Sequence, residues 1–221
     1  MRIALAGQRS FGAAVFDRLT RAGHDVAQVF APPGDRLDFA ARQKGVDCRE
    51  RLTVDQLADQ LDLIVCAHAH VFVSDRARDR TLLGGIGYHP SLLPRHRGRD
   101  AVKWTVHMGD PIAGGSVYWL SNRVDGGPIA AADWCHVRPG TTASDLWRDR
   151  LFPMGLRLLE SVLGDLDAGV IVRVDQDEAC ATWEPSWDRA PLNRPDLYQL
   201  PPPGGDRLNG RFRVVRDRGD R

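Results

Sequence analysis

Short apolar runs alternate along the chain with stretches whose apolar residues recur every third or fourth position. Ile3-Ala4-Leu5-Ala6 is the first apolar run. It is followed by an amphipathic stretch with Ala14, Val15, Leu19 and Ala22 on one face and Asp17, Arg18 and Arg21 on the other, and Gly23 ends it. Residues 26–31 then read as a second strand. A strand, a helix and a strand joined by a glycine-bearing turn predict the start of a doubly wound α/β sheet.

The same rhythm continues. Residues 37–44 and 54–61 read as helices, 63–66 as a buried strand, 76–83 as a short helix and 85–88 as a strand. Helical spacing returns at 100–108, two strands at 115–120 and 129–134 flank a turn, and 142–163 reads as one long amphipathic helix. Beyond Val174 prolines and tryptophans replace any period, which predicts an extended tail. The expected fold is α/β, a Rossmann-like doubly wound, mostly parallel sheet. A domain is expected over 1–174, followed by a Pro/Trp/Arg-rich, partly disordered extension over 175–221.

Composition narrows the function. The chain has 221 residues, with 30 Lys+Arg against 29 Asp+Glu and a formal net charge of +1. A nucleic-acid surface needs a basic excess, so a nucleic-acid partner is not expected. Lys44 and Lys103 are the only lysines; the arginine bias reads mainly as a coding signature. Cys48, Cys66, Cys135 and Cys180 are too scattered for a zinc site or a disulfide scaffold. No leader pattern or membrane-length apolar run is seen, which predicts a cytoplasmic protein without a membrane partner. Oligomeric state is not legible.

The turn Gly7-Gln8-Arg9-Ser10-Phe11-Gly12 lacks the middle glycine of a dinucleotide fingerprint. It reads either as a tight strand-to-helix turn or as backbone N–H groups and Ser10 gripping an anion. The chemistry-bearing stretch is Tyr88-His89-Pro90-Ser91-Leu92-Leu93-Pro94-Arg95-His96-Arg97-Gly98. Its prolines fix the chain after a strand and hold His89 at the carboxyl end, where open α/β sheets place ligands. Further on, Asp125 precedes the turn Gly126-Gly127-Pro128, whose glycines let backbone approach a ligand. Together His89 and Asp125 make an acid–base pair.

HPSLLPRHRG followed by VDGGP resembles the folate-dependent formyltransferase superfamily. The resemblance runs over most of residues 1–165, and is greatest to the hydrolase domain of 10-formyltetrahydrofolate dehydrogenase, beside the catalytic domain of methionyl-tRNA formyltransferase. It implies a formyltransferase fold and an enzyme that takes the formyl group from 10-formyltetrahydrofolate without a metal. It implies that His89 stabilises the oxyanion and Asp125 moves the proton. It also implies that the pterin lies along Cys66, Ala67, His68, His70, Phe72 and Val73, with Asn122, Arg123 and Val124 closing the other side. Ser10, Gly87, Tyr88, Ser91 and Arg97 are expected near the acceptor. Arg95, Arg97 and Arg99 read either as a solvated loop or as a grip on an anionic group.

Two departures from the superfamily pattern matter. Its transferases carry an asparagine two residues before the histidine, where this chain has Gly87. Loss of an oxyanion donor costs about 10²–10³ in rate, so water as acceptor, or a weakened folate-binding module, stands beside transfer to a small molecule. The stretch after Val174 is also too short for a tRNA-binding barrel, which makes tRNA an unexpected acceptor.

Overall fold

The first helix exists because of what its apolar stripe meets. In the computed structural model, which describes residues 1–187, Phe11, Val15, Phe16 and Leu19 of α1 (Arg9–Arg21) are buried, and its polar residues face outward. Before it runs β1 (Arg2–Gly7), and after it β2 (Asp25–Phe30). Then follow α2 (Arg36–Gln43), β3 (Asp47–Arg49), β4 (Leu63–Ala67), α3 (Asp75–Arg78) and β5 (Gly85–His89). All neighbouring pairs among these strands are parallel, in the order β3-β2-β1-β4-β5. β4 and β5 are buried along their whole length, β4 as its unbroken apolar run requires, β5 although it ends in Tyr88 and His89.

Two compact units divide the chain: residues 1–88 with Trp119–Asn122, and His89–Tyr118 with the chain from Arg123 onward. The first unit holds the parallel strands. Its core joins Ala4, Ala6 and Phe30 to Ile64, Cys66, Leu57, Leu61, Val73 and Ala77. Leu120 returns to this unit, donating its N–H to Gly85 O at 2.8 Å.

The second unit contains α4 (Ala101–His107), then β6 (Ile112–Trp119) paired antiparallel with β7 (Ile129–His136). Gly114 has no room for a side chain, since a Cβ there would lie 2.4 Å from Leu92 Cγ. The long helix expected over 142–163 is broken into α5 (Ala143–Leu146), a π turn (Trp147–Leu151) and α6 (Phe152–Asp167). Pro153 has no N–H to give to the carbonyl four residues back, and the chain widens into the π turn just before it.

Some elements differ from expectation. β3 carries no apolar run and is a strand only through its pairing with β2. The helix expected over 54–61 shrinks to a 3-10 turn at Val54–Gln56. There the buried Gln28 side chain donates to Gln56 O (2.8 Å) and accepts from Ala58 N (3.0 Å), taking groups that a longer helix needs. The helix expected over 76–83 stops at Arg78, where Thr81 Oγ1 donates to the Arg78 and Gly84 carbonyls.

Residues 175–187 stay on the second unit. Val174 and Ile129 exchange backbone hydrogen bonds (2.8 and 3.0 Å), and Arg97 bridges in parallel to Trp183. Trp104 Nε1 donates to Pro185 O at 2.9 Å and its ring meets that of Trp187 edge-on. Residues 175–187 therefore pack against the 94–104 stretch and the Asp125–Gly127 turn; the extension beyond 187, where disorder was also expected, lies outside the described residues.

Candidate active site

His89 is the last residue of β5 and is buried. Its Nε2 lies 2.7 Å from the carbonyl oxygen of His96. A carbonyl only accepts, so Nε2 carries a proton and donates. Nδ1 is then the atom at which the ring gains or loses its second proton, and it faces Asp125 Oδ2 at 3.6 Å. That separation is too long for a hydrogen bond.

The Asp125 carboxylate is oriented from two other sides. Tyr118 Oη donates to Oδ1 (2.7 Å), and Gly98 N donates to Oδ2 (2.8 Å). Asp125 has a φ of +51° and His96 a φ of +56°. Side-chain-bearing residues rarely adopt this left-handed region, and such strain collects at functional sites. Gln176 binds the Asp125 loop from behind, its Nε2 donating to Asp125 O (2.8 Å) and Gly127 O (2.7 Å).

The loop that supplies His96 O and Gly98 N is itself fastened to the C-terminal segment. His96 N donates to Thr182 Oγ1 (2.8 Å), Arg97 N to Thr182 O (3.0 Å), and Thr182 N to Pro94 O (3.1 Å). Beneath it the buried His96 ring lies between two acids, with Nε2 2.8 Å from Asp110 Oδ2 and Nδ1 3.0 Å from Glu184 Oε1. The second approach is off the hydrogen-bonding direction, so it acts through charge. Burial works against a charged His96, but Asp110 and Glu184 outweigh it and raise its pKa above the ordinary imidazole value. Burial likewise opposes ionisation of Asp110, but His96 and Arg95 overcome it and bring its carboxyl down to about 2.

Several expected acceptor residues are committed elsewhere. Arg97 is buried, and its guanidinium donates to Gln176 Oε1 (2.7 and 3.1 Å) and to Glu178 (2.8 and 3.0 Å). Arg95 is taken by Asp110 (2.7 and 2.8 Å). Ser91 Oγ donates to Arg95 O at 2.6 Å and closes the loop on itself. Arg97 and Ser91, expected near the acceptor, are thus hydrogen-bonded within the protein.

In the first unit, the strand order reverses between β1 and β4, the topological switch point at which such sheets bind ligands beyond their carboxyl ends. Residues 66–73 start here. A Cβ on Gly7 would lie 2.4 Å from Ala67 O, so glycine is needed for this close approach. Gln8 N donates to Ala67 O (3.3 Å), and the Gln8 amide reaches His70 Nδ1 (3.2 Å). His68 has a φ of +58°. Burial first, then the nearby His70 and Arg9, lowers its pKa to about 4, so it is neutral near pH 7.

Burial pushes the Cys66 thiol up to about 12, which makes it a poor nucleophile. Val73 is part of the core, whereas Phe72 is exposed. Asn122 is held by Arg78 Nη2 on its oxygen and by Asp75 on its nitrogen, both at 2.7 Å. Arg78 also donates to Val73 O (2.6 Å), tying the 73–78 and 121–122 segments together. Arg123 lies 3.2 Å from Glu178 and Val124 is exposed, both in the second unit.

The glycine turn is a tight turn. Asp35 accepts from Arg9 N at 2.7 and 2.9 Å, so a carboxylate already occupies the start of α1. Ser10 Oγ, expected near the acceptor, accepts from Arg36 (2.7 Å). Gly87 pairs with Cys66 inside the sheet, and the Tyr88 ring packs on Phe11 at 5.3 Å.

The family pattern described as formyl transferase matches residues 1–162. The chain belongs to the formyl transferase family. Within that family of enzymes, mitochondrial 10-formyltetrahydrofolate dehydrogenase of Mus musculus is 36% identical over 201 residues, 83% of this chain. The chain spans only 22% of that relative's length. Methionyl-tRNA formyltransferase of Acidobacterium capsulatum is 28% identical over 84% of this chain and 65% of its own length. Among solved structures, an N-formyltransferase from Helicobacter canadensis shares the fold with a TM-score of 0.73 at 12% identity, over 85% of this chain and 72% of that one. The residues that sequence reading missed around the His89–Asp125 pair, namely Tyr118 and Gln176, belong to the second unit and carry no local motif.

Proposed function

We propose that this chain removes the formyl group from 10-formyltetrahydrofolate and passes it to a small-molecule acceptor. The observation that carries this is the arrangement of His89 and Asp125. One imidazole nitrogen is fixed by a backbone carbonyl, and the other opens toward a carboxylate held by Tyr118 and Gly98. Family membership and the name of the dehydrogenase relatives support the donor. A related-fold structure described with folinic acid supports a folate ligand.

The reaction needs three things from the chain. The acceptor's lone pair attacks the formyl carbon, and the carbonyl oxygen takes up negative charge; Nδ1–H of the protonated His89, 3.6 Å from Asp125 Oδ2 and not hydrogen-bonded to it, donates to that oxygen. Asp125 accepts the proton lost by the acceptor and returns it to the departing folate nitrogen, so tetrahydrofolate and the formylated acceptor leave with atoms balanced. The carbonyl of His96 accepts from Nε2 and so keeps the ring from turning while Nδ1 serves the oxyanion.

In this reading Cys66, Ala67, His68, His70, Phe72 and Val73 at the switch point, with Asn122, Arg123 and Val124, are the folate-binding residues. Gly87 and Tyr88 lie on the strand that delivers His89. Water is the second reading for the acceptor, favoured by Gly87, which offers no side-chain amide where the superfamily's transferases have one. Purified protein mixed with 10-formyltetrahydrofolate alone decides between them. Steady release of tetrahydrofolate and formate identifies the hydrolase; turnover only with added amine identifies the transferase. No turnover in either case, with or without folate binding, overturns the proposed activity.

A further inference from the structure

Gln176 lies outside the segment that the family pattern matches, yet its side chain is buried at the centre of the second unit. Its hydrogen-bonding capacity is filled by two loops. Nε2 donates to the carbonyls of Asp125 (2.8 Å) and Gly127 (2.7 Å), and Oε1 accepts from Arg97 Nη2 (2.7 Å) and Nε (3.1 Å). A guanidinium only donates and carbonyls only accept, so one orientation of the amide satisfies all four contacts. Arg97 is in turn clamped by Glu178, and its backbone N–H is held by Thr182.

The two loops joined by this amide carry the groups that aim the Asp125 carboxylate. One supplies Gly98 N, adjacent to Arg97; the other is the Asp125–Gly127 turn itself. Asp125 sits at a φ of +51°, a conformation that an L-residue leaves unless its surroundings hold it there.

We propose that Gln176 is a positioning residue: by bonding the backbone on either side of Gly126 to Arg97, it holds Asp125 in its left-handed conformation and so sets the carboxylate against His89. The proposal rests on the formyl-transfer reading given above. Gln176 touches no reacting atom; it acts through Asp125. Displacement of a catalytic group by about 1 Å costs on the order of 10²-fold in rate.

Two variants test it. Gln176→Glu keeps the size and the acceptor for Arg97 but turns a carboxylate onto two carbonyl oxygens; Gln176→Met removes all four bonds. The control is Gln28→Met, because Gln28 is also a buried glutamine, bonded to Asp47, Gln56 and Ala58 in the first unit. Gln176→Glu is expected to lose about 100-fold in kcat with KM for the folate changed by less than about threefold. Gln28→Met should lower the unfolding temperature while leaving kcat near wild type. Wild-type kcat in Gln176→Glu, or equal losses of kcat in Gln176→Glu and Gln28→Met, overturns the positioning role.

A crystal structure of Gln176→Glu gives a readout that needs no activity. Asp125 should leave positive φ and its carboxylate should move from Gly98 N. Should the wild type transfer no formyl group, that measurement alone decides, and an unmoved Asp125 rejects the inference independently of the proposed reaction.

Discussion

His89 gives its Nε2 proton to the backbone carbonyl of His96 at 2.7 Å, so the side of the imidazole that faces Asp125 is Nδ1. One contact thus selects the tautomer and the face available for chemistry. We expect His89→Ala and Asp125→Ala each to lower kcat by at least about 10²-fold, the scale for losing an oxyanion donor or a proton carrier. Circular dichroism should remain native in both. Near-wild-type turnover in either would reject the pair as the catalytic centre.

Tyr118 connects packing to chemistry. Its ring packs against Leu93, Ile129 and Ala132, and its hydroxyl donates to Asp125 Oδ1. Tyr118→Phe keeps the ring and deletes one hydrogen bond to a carboxylate, an interaction worth about 1.5–3 kcal/mol. If that bond matters most in the transition state, kcat falls by roughly 10- to 100-fold with little change in KM or unfolding temperature. A variant changed in KM alone would show that Tyr118 serves binding instead.

Gly87→Asn restores an amide two residues before His89. Transfer to an amine should rise if the acceptor is an ordinary amine and the added amide donates to the formyl oxygen. Paired assays with amine and with water as acceptor measure it. An unchanged or lower amine rate would show that the glycine is not what limits transfer.

The buried His96 cluster links stability to pH. His96, faced by Asp110, Glu184 and the neighbouring Arg95, has its pKa raised in the folded state. Its contribution is fully present below the unfolded imidazole value of about 6.5 and is lost as pH climbs through the higher folded value. Asp110, lowered to about 2, works in the opposite range: its contribution is present above its ordinary 3.8 and disappears as pH falls toward 2. Thermal unfolding followed from pH 5 to 9 should show wild type losing stability relative to His96→Gln as pH rises. Parallel curves would mean that His96 does not titrate in this window.

Gly7→Ala should destabilise the first unit by about 1–3 kcal/mol, since its Cβ would meet Ala67 O at 2.4 Å. Chemical denaturation measures this. A neutral effect would mean that the β1–β4 crevice opens without cost.

What could be read from the chain and what could not divide along physical lines. β1, α1, β2 and β4 are written in local patterns, and local patterns produce them. His89 and Asp125 stood out because prolines and glycines fix the backbone around them. Gln176 and Thr182 did not, because their partners lie 51 and 86 residues away and neither has a period or a motif. Arg97 reads as a solvated loop residue or an anion grip for the same reason: the amide of Gln176 and the carboxylate of Glu178 that hold it lie 79 and 81 residues away. Gln28 shows the converse, where one buried amide overrides helical spacing in the 54–61 segment.

The fastening of the active-site loops by residues 176–184 has a consequence for the order in which the protein is made. A nascent chain that has emerged only as far as residue 175 already carries His89 and Asp125, but lacks the amide behind Asp125 and the threonine that grips the His96 backbone. Competence for the proposed catalysis therefore waits for residues 176–184, after His89 and Asp125 are already in the chain.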